Sequence, residues 1–535
     1  MSACQLSGRA GKTGNKTTRF SELFRAFTPR LAPASTNRPG HGNAAFVPYP
    51  RQHPPANLIP APPRGRSVFP GVGGSMRRIQ LPFCMVLGAT WLAACGSAPR
   101  EDVPSRAATP EQTDLPPMKA FSVAHPEPPS RSNRDIYRDF LELSFQLESG
   151  RQLDRFSRFE GPISIRVTGS PPPSLMPDLN RLVTRLRREA GIDIGRVRGR
   201  NASITIEAVS RADIRQFLPK AACFVVPNVS SLQEYRSARH SRQTNWSDLV
   251  ERERIAIFVP GDSSPQEVRD CLHEELAQAL GPLNDLYRLP DSVFNDDNVH
   301  TVLTGFDMLI LRAYYAPELQ AGMTRDQVAS RLPAILSRLN PRGDSIAPRA
   351  LKATPRPWIR AIQTALGPGA SSGQRRRAAQ EALSIARSQG WRDHRLAFSH
   401  FALGRLTQMS DPDFALGQFL AAERIYAQTP GTELHRAYSA SQLAAYAISQ
   451  GRSAEALRLI EPYKAMAERH ENAALLATLM MLEAEALDLA GRAAEAQAIR
   501  LDSIGWARYG FGADWAVRAK LREISALSPR KEPNG

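Results

Sequence analysis

Cys271-Leu272-His273-Glu274-Glu275-Leu276-Ala277-Gln278-Ala279-Leu280-Gly281-Pro282-Leu283-Asn284-Asp285 is the stretch on which the reading of the fold turns. It follows Ser264-Pro265-Gln266-Glu267, which reads as a helix start, with Pro in the first position and an acid in the first turn. Gly281 is where such a helix stops. Set against the zinc spacing H-E-x-x-H, His273-Glu274 supplies the first half, but the second ligand position falls on Ala277, which has no donor atom. That register binds no metal.

Upstream of this helix the chain alternates helix and strand. Residues 136–147 read as an opening helix, and Pro162-Ile163-Ser164-Ile165-Arg166-Val167 alternates as a half-buried strand does. Residues 175–190 put Leu175, Leu179, Leu182, Val183 and Leu186 on one helical face, and Gly191 ends them. Ala202-Ser203-Ile204-Thr205-Ile206-Glu207 alternates again, residues 223–226 form a short apolar strand, and Arg254-Ile255-Ala256-Ile257-Phe258-Val259 forms another. The order is strand, helix, strands, helix.

Shifted by one residue, Glu274-Glu275-Leu276-Ala277-Gln278-Ala279-Leu280-Gly281-Pro282-Leu283-Asn284 overlays H-E-x-x-H-x-L-G-L-x-H. Here the chain resembles the metzincin metallopeptidases, the matrixin type above all. The resemblance implies that Glu274, Gln278 and Asn284 stand at the metal-ligand positions, Glu275 at the water-activating position, and Gly281 at the turn. Only the glutamate and the glycine are retained. Phe294 of Ser292-Val293-Phe294 takes the place of the family's Met-turn methionine, and residues 303–315 look like its closing helix. The same region, with Pro290-Asp291-Ser292-x-Phe294-Asn295-Asp296-Asp297 and Ala316-Pro317-Glu318-Leu319-x-x-Gly322-Met323, is more closely similar to the bacterial domain-of-unknown-function family 2927. That family implies a fold and no activity for residues 133–340.

Zinc prefers imidazole, thiolate or carboxylate, whereas Gln and Asn offer neutral oxygens that suit hard cations and hold them weakly. One carboxylate and two amides are a poor zinc set. Glu275 without a metal has no Lewis acid to activate its water. Ordinary readings stand beside these: Asn284, Asp285 and Asn295-Asp296-Asp297-Asn298 are turn formers, and His273 suits a satisfied, partly buried histidine. A calcium site from Asp285, Asp291, Asp296 or Asp297 lacks the ordered spacing of a calcium loop. No metal or other cofactor is therefore expected.

Toward the amino terminus, Met76-Arg77-Arg78 precedes a short apolar run that ends in Leu92-Ala93-Ala94-Cys95, the pattern of a bacterial lipoprotein signal peptide over residues 76–94. The run is shorter than the ~20 apolar residues of a membrane span, and Cys95 is the predicted lipidation site. The preceding 75 residues are rich in Pro, Gly, Arg and Ser, read as disordered, and carry ten Lys or Arg against the single acid Glu22, a contribution of +9. The pattern predicts that translation begins at Met76. With Arg77 and Arg78 removed as well, the net charge of +17 leaves only +6 for the rest, so the basic composition does not indicate nucleic acid. Residues 95–132 read as a Pro-rich tether. Cys223 and Cys271 are a disulfide candidate in an oxidising envelope, with two separate buried thiols as the alternative. Gly96 and Ser97 lack the acidic residue that marks inner-membrane retention in some bacteria, which points to the outer membrane.

Residues 341–373 are loose and rich in Pro and Gly around one short helix over 358–366, and read as a linker. Beyond it, Gly451-Arg452-Ser453-Ala454-Glu455-Ala456 recurs as Gly491-Arg492-Ala493-Ala494-Glu495-Ala496 after 40 residues, which means stacked helix pairs over residues 374–527. The array resembles a tetratricopeptide repeat of longer period. Such solenoids expose a concave face to peptides or partner proteins. Trp506, Tyr509, Phe511 and Trp515 are expected to cap its core or to touch the other domain.

The expected fold class is an α+β metzincin-like domain followed by an all-α helical-repeat domain. The expected function is a membrane-anchored envelope lipoprotein that acts as a non-catalytic binding or assembly module. It would be attached through lipid on Cys95, with a protein or peptide partner on the repeats. The alternative is a metal-dependent hydrolase of envelope peptide or peptidoglycan using Glu275. No Gly-rich phosphate loop, G-x-S-x-G elbow, C-x-x-C pair or nucleic-acid module is found in the sequence.

Overall fold

The computed structural model describes residues 115–122, 126–199, 201–349 and 351–529. The lipoprotein signal, Cys95 and residues 1–75 lie outside them. The first helix, α1 (Asn133–Phe145), is capped by Ser132, whose side chain accepts from the Asp135 amide, and it buries Ile136, Phe140, Leu141 and Leu143. Then come β1 (Ile163–Gly169), α2 (Leu175–Glu189), β2 (Ile194–Arg196), β3 (Ile204–Val209), α3 (Arg211–Phe217), β4 (Phe224–Pro227), α4 (Leu232–Ala238) and β5 (Ile255–Pro260). The five strands form one sheet in the order β2-β1-β3-β5-β4. β1, β2, β3 and β5 run parallel, and β4 lies antiparallel on the edge beside β5.

β5 is buried at every residue, because its continuous apolar run is covered on both faces. Ile255, Ile257 and Val259 enter the large core that contains α2, while Ala256 and Phe258 pack with Phe224, Val226 and Ile214 in a smaller core on the opposite face. The helix α5 (Pro265–Leu280) joins the large core through Val268, Leu272, Leu276 and Leu280. A disulfide joins Cys223, beside β4, to Cys271 of α5, with 6.0 Å between Cα atoms. Closing a loop of 48 residues stabilises the fold by about 4 kcal/mol in the chain-entropy picture. α6 (Gly305–Tyr314) and α7 (Arg325–Leu339) complete this part, both opened by capping boxes.

All later elements are helical: α8 (Arg356–Leu366), α9 (Ser372–Ser388), α10 (His394–Thr407), α11 (Pro412–Tyr426), α12 (Glu433–Ser449), α13 (Ser453–Ile460), α14 (Lys464–Arg469), α15 (Ala473–Leu489), α16 (Ala493–Phe511) and α17 (Asp514–Ser525). Gly451 and Gly491, one period apart, both hold positive φ, 72° and 78°, in the turns after α12 and α15.

Three expectations change. The segment 341–373 is not a free linker: α8 buries Trp358 completely, and the indole Nε1 donates to Ser399 Oγ at 2.9 Å. The helix expected over 358–366 is present, bounded by Pro355 at one end and Gly367 at the other. The end of the Pro-rich tether is not a spacer either. Phe121 stacks on Trp506 at 4.7 Å, the Lys119 amide donates to the Gly505 carbonyl at 3.0 Å, and Arg508 donates to the Pro116 carbonyl at 2.8 Å. An extended backbone makes no internal hydrogen bonds, which leaves its amides and carbonyls for a neighbour. Trp515 neither caps nor docks, being 75% exposed.

Candidate functional site

Every altered metal position lies on α5 or just after it. The side chain of Ser264 accepts from the Glu267 amide and sets the start of the helix. Its end is held by Arg252, a fully enclosed guanidinium that donates to the carbonyls of Gln278 (2.6 Å), Ala279 (2.8 Å) and Gly281 (2.5 Å). These carbonyls have no partner within the helix. Glycine is required at 281, since a Cβ there would stand 2.9 Å from the ring of Tyr314.

The sequence-predicted site residues divide at this point. Glu275 and Gln278 are buried. Asn284 is buried too, and its amide is committed to α1, donating to the Glu142 carbonyl at 3.1 Å and to Gln146 Oε1 at 3.4 Å. Glu274 instead lines a cavity. His273 accepts the Leu303 amide on Nδ1 at 3.1 Å, and burial holds its pKa well below the usual histidine value, so it serves as a neutral core residue. Phe294 is fully buried, and its carbonyl accepts from the Leu286 amide at 2.8 Å. Among the described residues, no group of three or more His, Cys, Asp or Glu side chains is arranged to share a metal ion.

The acids after α5 are used separately. Asp291 pairs with Arg131. Asp297 accepts from His435 Nε2 (2.8 Å), Asn295 Nδ2 (2.8 Å) and the Val299 amide (3.0 Å). Asp296 accepts from the Tyr287 hydroxyl at 3.1 Å, and burial, together with the charges of Asp285 and Glu274, pushes its carboxyl well above the usual range.

The surface that covers α5 is built by the helical array, and Tyr509 and Phe511, expected to cap its core or touch the other domain, both lie at it. The helical array lies against this helix and the loop 284–301. Gln266 binds Asn472 Oδ1 (3.2 Å) and accepts the Ala474 amide (2.8 Å), Arg269 donates to the Glu471 carbonyl (2.6 Å), His394 donates to the Tyr287 carbonyl (2.7 Å), and Tyr509 donates to Asp178 (2.8 Å). α10, α12 and α15, the first helices of successive pairs, are consequently buried on nearly all sides. His394, His435 and Asn472, in or beside otherwise apolar helices, are a further signal of this contact.

Between α5 and the array lies a cavity of about 120 Å³. One wall carries Glu267, Asp270, Cys271 and Glu274, one face of α5 at three- and four-residue spacing; the other carries Tyr438, Gln442 and Thr478. Burial raises Asp270 to about 6, although Arg269 stands 2.7 Å away. His300, also on the wall, is held well below the ordinary histidine range by burial and by His470 and His435.

Residues 133–334 match the family model described as Protein of unknown function (DUF2927). No curated protein and no solved structure matches the chain.

Proposed function

With residues 133–334 a domain of the DUF2927 family, we propose that the chain is a non-catalytic binding or assembly module of the bacterial envelope, anchored through lipid on Cys95. The observation that carries this reading is the fate of the altered metal positions. Glu275 is enclosed, Asn284 is spent on α1, and the face of α5 that bears Glu274 is covered by the chain's own helical array. A hydrolase needs its base within hydrogen-bond reach of a bound substrate, and a polymer such as peptide or peptidoglycan needs an open cleft. The metzincin likeness is then one of ancestry, with the polar helix retained as packing. The disulfide supports an oxidising compartment.

The array's first helices and α16 are engaged by the rest of the chain, so a protein partner would use the outer faces of α11 and α13. The test is metal content by mass spectrometry on the full chain, purified without chelator and dialysed against zinc or calcium. The expected result is no stoichiometric metal. Near one metal per chain, lost in Glu274→Ala, would overturn the reading in favour of a metal-dependent hydrolase using Glu275.

A further inference from the structure

A pocket of about 470 Å³ opens where the end of α1 meets α3, α4 and the segment 239–246, and it shares no lining residue with the cavity beside α5. Its floor is apolar and aromatic: Leu147 and Trp246 are buried, and Phe217, Leu218 and Tyr235 are half-buried. Arg151, Arg239, His240 and Arg242 line it as well, and no Asp or Glu does. Acids hold only part of this charge. Arg242 pairs with Asp248 at 3.1 Å, whereas within hydrogen-bond distance Arg151 reaches only the neutral Asn245 Oδ1 and Ser247 Oγ, at 3.4 and 3.5 Å. Arg239 has no ion pair among the described residues; its guanidinium lies 5.4 Å from the centre of the Phe217 ring, over which Arg236 also stands at 5.9 Å. Two cations that share one ring repel each other, and an anion beside them relieves the repulsion.

The hydrogen-bond donors of the pocket point the same way. Trp246, Tyr235 and Arg239 all line it, and the indole N–H, the phenol hydroxyl and the guanidinium have no hydrogen-bond acceptor among the described residues. Trp246 is only 7% exposed, and an indole N–H so deep in a fold ordinarily has a partner. Its nitrogen is not sealed in, so it looks out through the pocket that the residue lines. Burial raises the pKa of Tyr235, which keeps the proton on its hydroxyl. Donors without acceptors, in a site with cations and no acid, call for a ligand group that only accepts. A carboxylate or phosphate oxygen is such a group.

We propose that this pocket binds a small organic anion, its carboxylate or phosphate held by Arg239, Tyr235 and Trp246 and its flat apolar body laid on Phe217, Leu218 and Leu147. A volume of about 470 Å³ holds about sixteen waters at ~30 Å³ each, so the occupant is a ring system and not a bare ion. Arg151 and Arg242 add positive charge around the same opening and draw an anion toward it. The inference goes beyond the binding-module reading and depends neither on the lipid nor on α5.

The test is calorimetric titration of the full chain at neutral pH with 2-naphthoate, 2-naphthamide as its neutral counterpart, 2-naphthylmethylammonium as its opposite charge, and 2-naphthyl phosphate as the second head group. The better of the two anions should bind at least about tenfold more tightly than the amide, and which one it is names the head group. Its affinity should fall about tenfold in Arg239→Gln and about fivefold in Tyr235→Phe, since each removes a donor to a charged acceptor. Arg239 is exposed and Tyr235→Phe keeps the ring, so neither substitution empties the core. Arg376→Gln, which removes an exposed arginine of α9 outside the pocket, should leave the affinity unchanged. Equal affinity for the amide, preference for the ammonium, no binding at all, or binding unmoved by both pocket variants overturns the proposal. An equal loss in Arg376→Gln overturns it too, because the attraction then belongs to the net charge of the chain. Should a variant fail to fold, the contrast among the four probes on the unsubstituted chain decides. A metal held by Glu274 would defeat the module reading and leave this result standing.

Discussion

α5 and α15 lie on opposite sides of the same cavity, and both are buried over most of their length. They are built from opposite materials. α5 encloses Arg269, His273, Glu275 and Gln278, while α15 encloses Leu475, Leu476, Leu479, Met480 and Leu482 with little polar company. Burying polar groups is tolerable only while each keeps its partner, whereas an apolar helix is sensitive to volume. One wall of the cavity is therefore brittle toward lost hydrogen bonds and the other toward lost methyl groups, and substitutions on each side should tell them apart.

The largest effect is expected on the polar side. Arg252→Ala leaves the carbonyls of Gln278, Ala279 and Gly281 without a donor in a dry site, and should cost about 3–5 kcal/mol in denaturant unfolding. Arg252→Met, which restores bulk but no donor, should recover little. Leu479→Ala on the apolar side should cost about 2–5 kcal/mol through an unfilled void, and here Leu479→Met should recover most of the loss. That reversal in what rescues each site is the sharpest form of the comparison.

Acidification is next in size. Burial lowers the pKa of His273, His300 and His394 in the folded chain, His394 to about 4. The unfolded chain then binds more protons below the ordinary histidine value of 6.5. The full stability is present above that value and is lost progressively as pH falls toward about 4. The unfolding midpoint should thus drop between pH 7.5 and 5, and His394→Gln should make the drop shallower; a flat profile in the unsubstituted chain would remove the effect. Tyr509→Phe, which deletes the hydroxyl bonded to Asp178 across the seam, should cost about 1–3 kcal/mol. Trp515→Ala, on an exposed ring, should stay within about 0.5 kcal/mol.

These contrasts explain which parts of the molecule were legible in the sequence. β1, β3 and β5 showed themselves by alternation or by a continuous apolar run, α5 by its Ser264-Pro265 start, and the array by a 40-residue echo. All are local signals. β2 has three residues, and α3 and α4 have seven each, too few to show a period, although Ser210 and Ser231 cap those helices. The second wall of the cavity was hidden for another reason. Gln266 meets Asn472 across 206 residues, and His435 meets Asp297 across 138, so no window of sequence holds both partners. The prolines and glycines of 341–373 read as looseness in the sequence because their role as helix boundaries depends on what the helix packs against. Phe121 alone among prolines gave no pattern, and its place between Trp506 and Tyr509 is visible only in three dimensions.

That seat gives residues 115–122 a mechanical meaning. A pull applied ahead of Leu115 meets the hydrogen bonds of Pro116 and Lys119 and the wedged ring of Phe121 before it meets α1. Load therefore enters at two places at once, through α16 of the array and, by way of Arg181 on the Phe121 carbonyl and Arg269 over its ring, through α2 and the disulfide-bearing α5.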